Sequence, residues 1–222
     1  IKKNTLITLE DIYFAMPYVP GQVSSESWSE NRITSTKLLK VNEPIFPEHI
    51  KIKKQKSSLV LKKSIHEVKA MLNNAAISLN SDFGIEFSHH YGQDNFRETG
   101  ALIIDCINRE YCKKLIVVLP GQRHPEHYHK RKEETFQVLT GTFECVIGGH
   151  KRTLLPGETA LVQPGVWHEF WSKDGCIIEE VSTTHYKNDS VYNDQKINEL
   201  TLSQRKTIVK NWGRYELASE EL

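Results

Sequence analysis

The chain has 222 residues, 38 % hydrophobic and 26 % charged, a mix that fits one large globular domain or a medium one with an appendage. Twenty-nine basic against 28 acidic residues give no net field for gathering nucleic acid or an anionic membrane surface. No apolar run approaches the roughly 18 residues that span a bilayer, so neither nucleic acid nor membrane is expected as a partner.

Cys106, Cys112, Cys145 and Cys176 are widely spaced and form no C-x-x-C pair, as expected of buried free thiols in a cytoplasmic protein. The chain opens at Ile1, without an initiator Met, inside a segment that reads as structured; a fragment of a longer polypeptide is expected.

Residues 1–52 are short apolar runs broken by "MPYVPGQ" and "SSESWSEN", the punctuation of a small β-rich module. Residues 53–99 form a linker, a helix and a lead-in strand. The basic stretch "KIKKQKSSLVLKK" reads as solvated linker, and "SIHEVKAMLNNAAISL" as the strongest helix. Ser64 and Glu67 have capping-box spacing, while Ile65, Val68, Met71, Leu72 and Ala75 recur on one face as a packing stripe. In "FSHHYG", His89 and His90 alternate faces on a strand, so one reaches a pocket and the other is exposed.

From residue 100 to 222 the rhythm changes to short β-type runs: "ALIID", "KLIVVL", "TFQVL", "TFECVIG", "KRTLL", "TALVQ", "WHEFW" and "CIIEEVS". Turn signals separate them, which argues for an all-β sandwich or barrel, and "TFQVLTGTFECVIGG" reads as a hairpin turning at Thr140-Gly141. The fold class expected is mainly β, a double-sheet roll with a cavity between its sheets, one preceding helix and a small amino-terminal module.

"GQRHPEHYHKRKEETFQVLTG" carries the chemistry. His127 and His129, two apart on a strand, project from one face and can converge on one point. Glu134 opens the next strand, and "PGVWH" offers His168 from a more distant one. Three imidazoles and a carboxylate suit a divalent transition metal (Zn, Mn, Fe, Ni or Co) better than Ca or Mg. His124 is a spare candidate in the loop, and His150 reads as a solvent-facing turn residue. Downstream, "STTHYKNDSVYND" puts His185, Lys187, Asp189 and Tyr192 on a polar loop suited to a polyhydroxylated ligand. Arg205 and Lys206 are candidates for holding a carboxylate or phosphate.

Gly121, His127, His129, Glu134 and Gly141 match the first cupin motif, G-x5-H-x-H-x4-E-x6-G, at every position. Gly157, Gly165 and His168 match the second, with Gln163 at its Pro and Ser172 at its Asn. The chain therefore resembles the cupin superfamily, which implies a jelly-roll barrel and, through paired strand edges, a homodimer. "HYHKRKEE" and "EEVSTTH" further resemble segments of D-lyxose isomerase-type cupins. That resemblance makes Lys132 and Glu180 the proton-handling candidates of a sugar isomerase or epimerase. Glu179 and Glu180 face opposite ways on a strand; parity cannot choose between them, and the E-V-S match favours Glu180. The implied substrate is a small sugar, contacted by candidates among His89, His90, Glu179, His185 and Arg205.

Thr8, Asp11, Ile12, Met16-Pro17 and Asn42–Ile45 resemble the antifreeze-like (β-clip) domain of sialic acid synthases, without that domain's basic residue before Pro17. The combination resembles the carboxy-terminal part of a synthase fusion in nonulosonate biosynthesis. A non-catalytic sugar-binding or scaffolding module is the alternative, and an iron-dependent dioxygenase, which shares the ligand set, is a third.

Overall fold

A computed structural model describes residues 1–17, 19–25, 28, 31–54, 56–80, 82–210, 212 and 216–217. Contacts divide the chain into two units, Ile1–Leu59 and Val60–Leu222.

In the first unit, strands β1 (Asn31–Ser35) and β2 (Ile50–Lys54) pair antiparallel. Ile7, Ile33, Leu39 and Ile50 form its buried core. The T-x-x-D spacing at Thr8 has a local purpose here: Asp11 Oδ2 accepts from the Thr8 amide at 2.8 Å and from its hydroxyl at 2.9 Å. This reciprocal cap satisfies donors that a short helical turn, Leu9–Asp11, would otherwise leave open.

Helix α1 spans Lys56–Asn74, so it starts well before the expected cap at Ser64. Ser64 is a buried mid-helix residue whose hydroxyl donates back to Val60 O at 2.9 Å. The stretch read as linker becomes β2 and the first turns of α1. Leu61 explains the extension: Leu61, Ile65, Val68 and Leu72 recur at helical intervals and are all buried. Each side chain so buried contributes about 2 kcal/mol. Glu67 forms an ion pair with Arg97 rather than closing a cap. His66 is exposed, as its place outside the stripe implies.

The second unit is an antiparallel double-sheet roll. Its strands are β3 (Gly84–Ser88), β4 (Ala101–Asn108), β5 (Tyr111–Val118), β6 (Arg123–His129), β7 (Glu134–Gly141), β8 (Phe143–Ile147) and β9 (His150–Leu154). They continue as β10 (Thr159–Val162), β11 (His168–Trp171), β12 (Cys176–Thr183), β13 (Ser190–Tyr192), β14 (Lys206–Lys210) and β15 (Glu216–Leu217). Two short helices, α2 (Gln195–Glu199) and α3 (Leu202–Arg205), precede β14. The large sheet runs β10-β7-β12-β5-β4-β3-β14-β15 and the small one β13-β6-β11-β8-β9.

Strand parity divides the core in two. Leu115 and Val117 point to the outer face of the large sheet and pack with α1, whereas Ile116 and Val118 point inward against Phe136, Phe143 and Phe170. Burial on both faces explains why "KLIVVL" is apolar without alternation.

The expected hairpin at Thr140-Gly141 is absent. β7 pairs with β10 and β12, while β8 pairs with β11 and β9 in the other sheet. Gly141 is the corner where the chain changes sheets. Its φ is +80°, and a Cβ there would lie 2.2 Å from Gly175 O. Cys106, Cys112, Cys145 and Cys176 are free thiols. No helix among the described residues is long and apolar enough to cross a membrane.

Candidate active site

The small sheet builds one wall. β6 lies between β11 and β13, with His168 opposite His127 on one side, and Tyr192 opposite His127 and Ser190 opposite His129 on the other. His127, His129 and His168 thereby present ligand atoms within 4.8 Å of one another, all three side chains buried. From the large sheet, the first residue of β7 completes the set. Glu134 Oε1 lies 3.2 Å from His129 Nε2, and its Oε2 lies 3.2 Å from His168 Nε2.

The orientation of the rings matters as much as their proximity. His127 Nδ1 is 3.0 Å from Pro125 O, His168 Nδ1 is 3.0 Å from Val166 O, and His129 Nδ1 is 3.2 Å from Ser190 Oγ. With every Nδ1 held by a neighbour, each Nε2 is left to face the common point, the outer support that metal-binding imidazoles require. Burial, with help from neighbouring imidazoles, holds His127 well below the ordinary histidine range; burial also lowers His129. Both are therefore neutral, as ligands must be. Glu134 Oε2 and His168 Nε2 are buried and, although 3.2 Å apart, lack the angle of a hydrogen bond and have no other partner. Such orphans are costly unless something satisfies them, and a divalent cation fits this donor set.

Beside the cluster, Lys132 Nζ contacts Glu134 Oε1 and lies 3.0 Å from Glu180 Oε1. Burial alone would lower the lysine, yet the two carboxylates raise it further, so it stays an ammonium. Burial likewise opposes ionisation of Glu180, but Lys132 and Lys114 together outweigh it and the carboxyl sits below its ordinary value. Ser182 donates to Glu180 Oε1 at 2.9 Å. Asp189, read from sequence as a ligand-loop residue, is buried and positions Lys132 instead. Its Oδ2 accepts from the amides of Lys132 at 3.1 Å and Arg131 at 3.4 Å.

Lys132, Glu180 and His185 line the cavity between the sheets together with His127, His129 and Glu134. Burial first, then Lys114, Lys132 and Lys206, push His185 down to about 3, so its imidazole is neutral. The remaining sequence candidates lie elsewhere. Glu179 points outward into a 2.7 Å ion pair with Lys113, which resolves the parity question in favour of Glu180 as the inward carboxylate. His89 and His90 are both buried, contrary to the expected alternation, because β3 ends at Ser88 and the chain turns there. His89 Nε2 is 2.8 Å from Thr207 Oγ1, behind the wall. His90 Nε2 is 3.1 Å from both His124 Nε2 and Ser88 Oγ, so it sits behind cavity-lining residues and not on the wall itself. Arg205 is buried with its guanidinium over the Tyr192 ring, and its neighbour Lys206 lines the cavity in its place.

Two charged wall residues, Lys114 and Glu86, escaped the sequence reading. His124, named there as a spare candidate in a loop, lies on β6, stacked on Phe170 at 4.7 Å. Its i−3 spacing from His127 obscured this. Lys114 and Glu86 also line the cavity. Their signal was a charged residue at an inward-facing position of an otherwise apolar strand.

Three imidazoles and a carboxylate converge between the two sheets of a jelly roll, and residues 114–175, which supply this cluster, match the family model described as Cupin domain. The D-lyxose/D-mannose isomerase of Thermosediminibacter oceani is 26 % identical over 153 residues, covering 56 % of this chain and 84 % of that protein. The D-lyxose ketol-isomerase of Cohnella laeviribosi is 26 % identical over 136 residues, covering 48 % and 75 %. Among solved structures, the L-ribose isomerase of Geodermatophilus obscurus matches in fold with a TM-score of 0.52 at 17 % identity, covering 63 % of this chain and 93 % of that one.

Proposed function

We propose that the cupin domain is a divalent-metal-dependent aldose–ketose isomerase acting on a small sugar. The observation that carries this reading is the buried Lys132 ammonium bridging Glu134 and Glu180, which joins a proton-handling carboxylate to the ligand cluster. Similarity to sugar isomerases over half the chain supports it.

His127, His129, Glu134 and His168 would hold the cation. A divalent ion there supplies Lewis acidity toward the sugar's carbonyl and neighbouring hydroxyl oxygens, easing removal of the proton beside the carbonyl. Glu180 is the base: it takes the C2 proton of an aldose and returns it to C1 while the O2 hydroxyl proton passes to O1, leaving a ketose with no net gain or loss of protons. Lys132 and Ser182 both engage Oε1, so Oε2 keeps its acceptor capacity. Because its partners keep Lys132 protonated, its role is to donate hydrogen bonds to a substrate oxygen as negative charge develops. The polar wall formed by Glu86, Lys114, His185 and Lys206 suits hydroxyl groups, which favours a sugar over the apolar substrate of a dioxygenase.

The test is exchange of the C2 proton in heavy water across a panel of aldoses. Glu180→Gln should retain the metal and lose turnover by about 10²–10⁴-fold. Turnover at the wild-type rate would remove Glu180 from the mechanism, and sugar binding without exchange at any metal loading would favour the non-catalytic module.

For residues 1–52 the antifreeze-like module is part of the same proposal, and it rests on the sequence resemblance of Thr8, Asp11, Ile12, Met16-Pro17 and Asn42–Ile45. A nonulosonate synthase as its covalent or physical partner, and a homodimer formed by the cupin domain, belong to the same proposal. Co-elution with such a synthase and sedimentation of the isolated chain test the two statements separately.

A further inference from the structure

The inner face of the large sheet carries a polar track. Glu134, Ser182, Glu180 and Lys114 run from β7 across β12 to β5, and beyond Asp105 and Ile103 of β4 the polar residues resume with Glu86 on β3 and Lys206 on β14. Most of these side chains are matched. Lys132 bridges Glu134 and Glu180, and Lys206 Nζ lies 2.7 Å from Glu86 Oε1.

Lys114 is the exception. It stands beside Glu180 and Asp105 in the strand register, its side chain is 6 % exposed, and it lines the cavity. Among the described residues its one ion pair is with Asp105 Oδ1, at 3.6 Å, and Asp105 is itself 48 % exposed. Against the cost of burial, Glu180, Asp105 and Glu86 keep this lysine charged, yet with its one ion-pair partner no nearer than 3.6 Å its donors remain open to a further anion or acceptor in the cavity. His185 Nδ1, also on the cavity wall, is buried without a partner. Charge points the same way: the lining has three lysines (Lys114, Lys132, Lys206) against three glutamates (Glu86, Glu134, Glu180), and a divalent cation on the histidine cluster tips that balance to a positive cavity.

We propose that Lys114, with His185 beside it and Lys206 further along the track, forms an anion-binding subsite, and that the natural substrate is a sugar carrying a carboxylate or phosphate away from its reacting carbons. This deepens the isomerase reading of the same cavity and makes Lys114 a specificity-determining residue.

The test compares three six-carbon chains that cannot isomerise and differ only at one end: D-mannitol, D-mannonate and D-mannitol 1-phosphate. Binding of each to the metal-loaded full chain is measured by calorimetry, for wild type, Lys114→Met, Lys114→Arg and His185→Gln. The expected result is at least about tenfold tighter binding of one or both anions by wild type, an advantage lost in Lys114→Met and retained in Lys114→Arg. His185→Gln should weaken it by a smaller factor. Which anion gains identifies the group as carboxylate or phosphate. Equal binding of all three by wild type overturns the proposal without any variant, and so does an anion advantage that survives Lys114→Met. Isomerase activity is judged separately by proton exchange. Neutral aldoses turned over with no anion advantage would leave the proposed function standing and end this inference. Anions held through Lys114 without exchange on any sugar would do the reverse.

Discussion

At the scale of single residues, the site is a set of atoms held ready by their second partners. Ser190 is not itself a proposed ligand, yet its hydroxyl holds His129 Nδ1 at 3.2 Å. Ser190→Ala should therefore weaken metal affinity by about tenfold, and Glu134→Gln by more than about 100-fold, both read by competition with a chelator. Equal affinity in the two variants would mean that Glu134 is no ligand. The ligand candidates were legible because an i, i+2 pair on a strand and a fixed spacing to Glu134 leave little freedom. Ser190 and Lys114 were not, since nothing local marks a serine that pairs across β6 and β13 or a lysine whose strand faces a cavity.

At the scale of elements, positions where the chain changes direction govern whether the walls meet. Gly141 takes the chain from the large sheet to the small one, and its left-handed φ and the nearby Gly175 carbonyl leave no room for a side chain. Gly141→Ala should cost about 3 kcal/mol, seen as a lower urea midpoint with an unchanged slope. The Thr-Gly pair looked like a hairpin because turn chemistry is the same whether the next strand returns beside its predecessor or crosses to another sheet. Likewise the start of α1 was misplaced: Ser64 and Glu67 satisfy the capping pattern, but Leu61 extends the buried stripe upstream and prevails. β14 is tied to β3 by Lys206 and Glu86. Burial opposes ionisation of Glu86, but Lys206 and Lys114 together overcome it and depress the carboxyl below its ordinary value. A depressed acid contributes stability above its unfolded pKa and loses it as pH falls through the folded one. The stability gap between wild type and Glu86→Gln should thus be full near neutrality and shrink as pH drops below about 4.5. A gap that widens on acidification would contradict this sign.

At the scale of the whole molecule, the double-sheet roll was readable from eight short strands and their turn signals. The split of its core by strand parity also follows from the doubly apolar β5. What could not be read was which inner positions are polar, because that depends on sheet order and not on neighbours in sequence. The account as a whole rests on four side chains from two sheets sharing one cation. Removing it should lower the melting temperature, since an ion bound at 100 times its Kd stabilises the native state by about 2.7 kcal/mol. The most direct test is elemental analysis of the purified chain beside a His127→Ala/His168→Ala variant shown to be folded by circular dichroism. The account predicts one transition-metal ion per wild-type chain and none retained by the variant. Equal metal content in the two proteins, or a wild-type chain that takes up no divalent ion when supplied with Mn, Fe, Co, Ni or Zn, would contradict it.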